Sequence, residues 1–208
     1  DGIENGGVVI RSSLDGPAEN NKPRSNWADS WQFIIDDLTF AAENLPETWG
    51  GTKRFTKATA YALLTRVGLY AERWDVVIEA AEKCKELGCA LSADYEKVFT
   101  NKDNPEHIFS VDFLSNKLTH RADVFFRPIG DSPYHNNSTI FGAICPTSEL
   151  VDAYEMADGT DFSWEEHGAD PYVGREPRFY ASILYNGARW EGRTIETFQG
   201  GVDGIGKF

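Results

Sequence analysis

Acidic side chains in the C-terminal half could supply a pair of catalytic carboxylates. Glycoside hydrolysis needs two carboxyl groups held about 5–10 Å apart across a sugar. The chain has 33 Asp and Glu against 20 Lys and Arg, so clusters of carboxylates are expected without catalysis. A glycoside hydrolase or lyase therefore remains an alternative, with six candidate residues: Glu149, Asp152, Asp158, Asp161, Glu165 and Glu166.

Other spacings that often carry catalysis or metal binding are incomplete. Gly201–Lys207 has the spacing of a phosphate loop, but Phe208 stands where Ser or Thr would hold magnesium. A calcium loop starting at Asn101 would place Glu106 where a glycine is needed. The chain contains neither the H-E-x-x-H pair of a zinc protease nor the G-x-S-x-G turn of a serine hydrolase. We therefore predict no catalytic residue, no cofactor and no metal.

Aromatic rings and hydrogen-bonding side chains are mixed in the segment Phe125–Asn137. A sugar has an apolar face that packs on an aromatic ring and a rim of hydroxyls that bonds to Asn, Arg or carboxylate groups. The segment therefore suits saccharide binding. Trp49, Trp164 and Trp190 also lie beside glycines or charged residues. The alternative for all these rings is that they attach loops to helices.

Charge and cysteine content exclude several classes of protein. The net charge of −13 repels nucleic-acid backbones and anionic lipid. Cys84, Cys89 and Cys145 lack the spacing of a zinc site and are expected to be buried apolar residues. No signal peptide or long apolar run is present. Because the chain opens abruptly at Asp1 and stops at Phe208, we interpret it as a fragment of a longer protein.

Helical periodicity begins at Trp27. Apolar residues recur at spacings of three and four from Trp27 to Leu45, which predicts an amphipathic helix. Ser25 or Asn26 is a suitable N-cap, and Pro46 ends the helix.

A helical hairpin is predicted at residues 56–88. Thr56 caps its first helix, Asp75 caps its second, and Gly88 suits a left-handed C-terminal cap. In these two helices, small residues are interspersed among large ones, which is typical of tetratricopeptide repeats. One such unit cannot cover its own apolar face, so further helices are expected outside the fragment.

The pattern changes after residue 90. Alternation over 107–113 predicts a half-buried strand, and Thr147 caps a short helix. Residues 179–185 read as a strand that meets an Asn-Gly turn, with 193–198 as the return strand. The sequence thus predicts a mainly α fold: tetratricopeptide-like helical hairpins followed by a loop-rich segment with minor β-hairpin structure. We assign residues 1–113 to a helical scaffold portion and 114–208 to a loop-rich, ligand-facing portion.

Several blocks of sequence occur in one order along most of the chain. They are Gly6–Ile10, Lys22–Ser25, Ile35–Pro46, Thr56–Asp75, Asn104–Phe109, Pro146–Gly159 and Arg175–Gly187. Together the blocks resemble the SusD/RagB family of nutrient-binding lipoproteins of the Bacteroidetes outer membrane.

The resemblance implies tetratricopeptide-like helices that carry an irregular, ligand-facing second half. It implies a surface lipoprotein that lies over a TonB-dependent transporter of the SusC type and delivers glycans, or in some members peptides, without enzymatic activity. The lipid anchor, the early helices and the closing C-terminal region would lie outside this fragment. A structural adaptor that binds only its transporter is a further alternative.

The resemblance also selects the candidate binding residues. Trp164 and Trp190 fall within family-like motifs and are therefore expected to be scaffold. Residues 121–140 match no shared motif, so specificity for the ligand is expected there. The predicted ligand-binding residues are Phe126, Arg127, Tyr134, His135, Asn136 and Asn137.

Overall fold

The structure is a computed structural model that describes residues 6–14, 16–17, 21–51, 54–102, 104–114, 117–134 and 140–204. By its internal contacts the chain forms two compact units. Unit 1 comprises Asp1–Ala93 with Val98–Val111, and unit 2 comprises Asp94–Lys97 with Asp112–Phe208. Seven α-helices and one two-stranded sheet occur in the described residues, which confirms the predicted mainly α fold. The assignment of separate scaffold and ligand-facing roles stays a prediction.

Three helices form unit 1. They are α1 (Trp27–Asn44), α2 (Lys57–Tyr70) and α3 (Trp74–Glu86). The side chain of Asn26 caps α1 by accepting a hydrogen bond from the backbone N–H of Asp29 at 2.7 Å. Thr56 caps α2 in a capping box with Thr59, as predicted for that position.

Helix α2 contacts both of its neighbours and carries the centre of the core. The buried apolar residues of this core are Ile35, Ala42, Ala60, Leu64 and Ala80. They recur at helical spacing, so the predicted amphipathic pattern and the observed core agree.

Helices α2 and α3 form the predicted hairpin. The turn between them uses Glu72 at a φ of 55°, and the N–H of Arg73 donates to the carbonyl of Gly68 at 2.8 Å. A Cβ on Gly68 would lie 3.0 Å from Val77 Cγ2, so glycine permits the close approach of the two helices. Arg73, rather than Asp75, is the N-cap of α3, because the helix begins two residues earlier than predicted.

The strand predicted at residues 107–113 does not form. Between residues 104 and 114, all described, the backbone has turns and bends, and its one bridge pairs Leu114 with Leu118. A strand needs a hydrogen-bonding partner along its length, which an alternating pattern cannot supply. The segment is instead held by side chains: Phe109 stacks on Phe55 with ring centroids 4.5 Å apart.

Short elements make up unit 2. They are α4 (Ala122–Phe126), α5 (Ser148–Asp152), α6 (Trp164–His167), α7 (Pro177–Ser182), β1 (Arg189–Trp190), β2 (Arg193–Thr194) and two 3-10 turns at Tyr95–Lys97 and Ile129–Tyr134. Thr147 caps α5, as predicted, by accepting from the N–H of Leu150.

The predicted strand at 179–185 is wrong, because these residues begin inside α7. Pro177 occupies its first helical turn, where the missing N–H costs nothing. A β-hairpin does occur, but its strands are β1 and β2. Its turn is Glu191-Gly192, with φ values of 43° and 86° that suit a two-residue hairpin turn. The Asn186-Gly187 pair forms a separate turn just before β1.

A buried arginine organises the middle of unit 2. Arg175 is 2% exposed, and its guanidinium donates to the carbonyls of Val151, Tyr154 and Pro171. Its Cζ lies 4.0 Å from the centroid of the Phe162 ring and 4.7 Å from that of Phe179. The cation thus joins α5 to the residues around α7 through backbone acceptors and aromatic faces.

Candidate functional site

The structure places part of the predicted binding segment. Phe126 ends α4 and is 64% exposed, which leaves its ring free to meet a ligand. Arg127 is the C-cap of the same helix. Tyr134 is the last residue of the second 3-10 turn, and its side chain lies outside the described part. His135, Asn136 and Asn137 lie outside the described residues. The binding role of all six stays a prediction.

Arg127 is engaged by side chains of the protein itself. Its guanidinium pairs with Asp131, with an N–O distance of 3.0 Å, and with Glu191. Its Cζ also lies 5.3 Å from the centroid of the Trp190 ring. Hydrogen bonding and charge from Glu191 and Asp131 raise the pKa of Arg127, so the group stays charged. Arg127 therefore attaches its segment to the turn of the β-hairpin, whether or not it also contacts a ligand.

Arg193 lies between two buried carboxylates. It donates to Asp131 Oδ1 at 2.7 and 2.9 Å and to the two oxygens of Asp203 at 2.7 and 2.8 Å. Asp131 also accepts from Trp190 Nε1 at 2.9 Å. The backbone N–H groups of Gly130 and Glu196 donate to Asp203 at 3.0 Å each. We call Arg127, Asp131, Arg193 and Asp203 the buried charge network.

The charges of this network are mutually stabilised. Burial acts to raise the pKa of Asp131, but hydrogen bonds from Trp190 and Arg193 and nearby positive charge bring it below its ordinary value. Burial likewise opposes the hydrogen bonds from Arg193, Glu196 and Gly130, and the net effect lowers the pKa of Asp203. Both carboxyls are therefore ionised at neutral pH, and neither is suited to act as a general acid.

The turn that carries Asp203 contains the glycines Gly201 and Gly204. Added Cβ atoms would lie 2.4 Å from the carbonyl oxygen of Glu196 at Gly201 and 2.1 Å from that of Phe198 at Gly204. The glycines therefore allow the backbone to fold tightly around Asp203. Close packing explains them without a bound phosphate.

A cleft of about 400 Å³ lies beside the network in unit 2. This volume is within the range of small-ligand sites. Its walls are largely apolar, and Ser182, Thr197 and the backbone supply neutral polar groups. The apolar side chains that line it include Phe126, Ile129, Phe141, Ile144, Leu184 and Ile195. The arrangement resembles a binding site more than a catalytic one, because the charged lining residues, Arg127 and Asp203, already have protein partners.

Several of the other candidate rings and carboxylates have structural partners. Trp164 donates to Asp152 Oδ2 at 2.9 Å, and Trp49 donates to the carbonyl of Phe55 at 2.7 Å. Hydrogen bonds at the start of α5, first from the backbone N–H of Glu149 itself and then from the side chain of Thr147, lower the pKa of the Glu149 carboxyl. Hydrogen bonds from Thr160 lower the pKa of Asp158. A glycosidase acid requires a shift in the opposite direction.

No metal or membrane feature emerges from the described residues. Among them, no three His, Cys, Asp or Glu side chains are grouped so as to hold a metal ion. In the same part of the chain, no helix has the length and apolar character needed to cross a bilayer.

Sequence reasoning missed most of the residues that form the buried charge network and the cleft. Arg193 and Asp131 are 62 positions apart, so no local spacing indicates their contact. Ile195 is buried and Leu184 is exposed, yet both line the cleft. Residues 193–198 were predicted as the return strand of a hairpin, but that prediction did not indicate a shared cavity. The glycines around Asp203 were the one local signal of unusual backbone packing.

Comparison with known proteins supports one family. The model of the SusD family matches residues 105–208. A SusD-like protein from Bacteroides fragilis, solved by crystallography, is 34% identical with a TM-score of 0.75; the match covers 89% of this chain and 40% of that one. A SusD-like carbohydrate binding protein from the same species is 28% identical with a TM-score of 0.76, over 90% and 37% of the two chains. No curated protein matches the chain with comparable significance.

The chain therefore belongs to the SusD family, which confirms the resemblance seen in its sequence. It spans about two fifths of the length of the two solved relatives, at 40% and 37%.

Proposed function

We propose that the protein is a glycan-binding surface subunit of an outer-membrane uptake complex of the SusC/SusD type. The observation that carries the proposal is the cleft of about 400 Å³ with the exposed ring of Phe126 at its wall. An exposed aromatic face beside neutral polar groups matches the two chemical faces of a sugar. A relative that is 28% identical is described as a carbohydrate binding protein, which supports the same ligand class.

The lining favours an uncharged saccharide. Its charged side chains, Arg127 and Asp203, are paired within the protein. An anionic ligand would have to displace the carboxylates paired with Arg127 and would be repelled by the net charge of −13, whereas a cationic ligand would have to displace Arg193 from Asp203. A neutral oligosaccharide needs only ring packing on Phe126 and Phe141 and hydrogen bonds from groups such as Ser182 and Thr197.

The proposed complex delivers its ligand without catalysis. Asp131 and Asp203 have lowered pKa values and are held by Arg193, so they suit structural rather than acid–base roles. The transfer of ligand would be made to a SusC-like TonB-dependent transporter. Such a protein would be held at the outer face of the membrane by a lipid anchor.

The test is ligand binding by the full-length protein that contains this chain. Isothermal titration with a panel of neutral oligosaccharides should reveal at least one ligand, and Phe126→Ala should weaken its binding severalfold. Tyr134→Ala should act in the same direction. Thermal stability should stay unchanged for Phe126→Ala, because the ring is largely exposed.

Phe99→Ala is the matched control, since Phe99 is an exposed phenylalanine in unit 1. It should leave affinity at the level of the unchanged protein. Binding of peptides instead of sugars would favour the peptide-binding alternative. Release of reducing ends from a polysaccharide would favour a hydrolase. No affinity for any sugar at millimolar concentration would favour an adaptor that binds only its transporter.

A further inference from the structure

Two cysteines meet at the C-terminal end of α3. The N–H of Cys89 donates to the carbonyl of Cys84 at 3.0 Å, and Gly88 between them has a φ of 87°. This is the hydrogen bond of a Schellman motif, in which the third-from-last helical residue and the second residue beyond the cap approach each other. An apolar contact usually joins the side chains at these two positions. Here both positions hold a thiol.

The surroundings of the two thiols differ. Cys84 is buried against α2, and its Sγ lies 3.9 Å from the carbonyl oxygen of Ala58. Cys89 is partly exposed. Both line one cleft in unit 1, together with residues such as Ala62 and Leu91. An external reagent can therefore reach Cys89 first, because Cys84 is buried within the same motif.

We propose that Cys84 and Cys89 form an intramolecular disulfide that closes the end of α3. A disulfide needs Cα atoms about 4.4–6.8 Å apart, and the hydrogen bond between the two backbones holds the residues at close range. The oxidant is a small-molecule disulfide. This modification site is independent of the proposed glycan binding.

The exchange balances in two steps. The thiolate of Cys89 attacks one sulfur of the external disulfide, and one small thiol leaves. Cys84 then loses its proton to solvent and attacks the sulfur of Cys89, and the second small thiol leaves. Two protein thiols are oxidised and one external disulfide is reduced to two thiols.

The second step should depend on pH. Burial, the largest cause, raises the pKa of Cys84, which is about 11 while Cys89 is still a thiol. Since the thiolate is the attacking form, closure should be slow at neutral pH and should become faster as the pH rises toward that value.

The test uses the protein with Cys145→Ser, which removes the third thiol. After incubation with oxidised glutathione, the remaining thiols are alkylated. We expect the intact mass to fall by two hydrogens, with neither cysteine alkylated. Trypsin cleaves after lysine, so the unreduced digest should contain Cys84–Lys85 joined to Glu86–Lys97. Two alkylated thiols, or a stable glutathione adduct in place of the bridge, would overturn the proposal.

Glycine variants test whether the fold places the pair. Gly88→Ala puts a side chain at a φ of 87° and should slow closure severalfold. Gly200→Ala imposes the same strain in unit 2, where the φ is also 87°, and should leave the rate unchanged. Equal rates for both variants and the parent would show that the bridge forms without the Schellman geometry. In Cys84→Ser, Cys89 should stop at the glutathione adduct.

Discussion

The two units of this chain are stabilised in different ways. In unit 1, helices that are neighbours in sequence bury a continuous set of small and aliphatic residues, such as Ala60 and Leu64. In unit 2, short elements are joined by buried charges and aromatic rings. Arg193 reaches Asp131 across 62 positions, and Arg175 reaches Val151 across 24. One unit depends on repeated local packing, and the other on a few distant contacts.

This difference predicts different sensitivities. Apolar packing is spread over many residues, so single changes in unit 1 should have graded effects. A buried ionic network fails when one member is removed, because its partners remain charged and desolvated. The experiments below are ordered from the largest expected effect to the smallest.

Loss of Arg193 should be the most damaging change. Arg193→Ala leaves Asp131 and Asp203 buried without their shared cation, which should cost about 3–5 kcal/mol of unfolding free energy. Denaturant unfolding measures it. Arg189→Ala is the control on the same hairpin, since Arg189 is exposed, and it should change stability by less than about 0.5 kcal/mol. Similar values for the two variants would contradict the contrast between the units.

Loss of Arg175 should follow closely. Arg175→Ala removes the donor to three backbone carbonyls and the cation between Phe162 and Phe179, at an expected cost of about 3 kcal/mol. Arg175→Lys should recover little, because an ammonium group cannot reproduce the planar, forked guanidinium. Arg189→Ala, at an exposed position in β1, should be nearly neutral. Full recovery by lysine would mean that charge alone matters.

A packing change in unit 1 should be milder. Gly68→Ala gains helix propensity but places a Cβ 3.0 Å from Val77 Cγ2 and 3.2 Å from the carbonyl oxygen of Arg73. The net cost should be about 1 kcal/mol. Val77→Ala in the same chain relieves the side-chain clash but not the backbone one, so the double variant should show a favourable coupling. Strictly additive effects in thermal unfolding would argue against this close approach.

Acid should weaken unit 2 locally before it affects unit 1. The folded pKa values of Asp131 and Asp203 lie below the unfolded value of about 3.9, so their stabilisation is complete above that pH and is lost as the pH falls through the folded values. Amide exchange should report it: as the pH is lowered, protection at Gly130 and Glu196, which donate to Asp203, should fall before that of Leu64. Equal loss of protection at all three amides would show that acid weakens the two units together.

Local signals were sufficient for the helical part of the fold. The caps Asn26 and Thr56 and the glycine at position 88 act on residues within one turn of themselves, so a single sequence displays them. The same local logic placed Thr147 at the start of α5. It was wrong for residues 107–113, where alternation suggested a strand, and for residues 179–185, where a strand-like run before an Asn-Gly turn did. Alternation describes one face of a segment, whereas a strand also requires a partner backbone.

The candidate site was only partly visible in the sequence. The exposed ring of Phe126 was identified from its segment, because aromatic and polar residues are neighbours in the chain there. The cleft beside it was not, since its walls include Leu184 and Ile195, far from that segment. One partner of Arg127 was equally hidden, because Glu191 lies 64 positions away, whereas its other partner, Asp131, lies within the same segment.

The sequence by itself determined the family, the helical hairpin and the chemical type of the candidate segment, because motifs, caps and periodicity act over a few residues. Only the tertiary structure decided that Arg193 would satisfy two distant carboxylates and that a cleft would open next to Phe126. Such contacts form when the fold brings distant loops together, and the spacing of residues along the chain does not indicate which loops will meet.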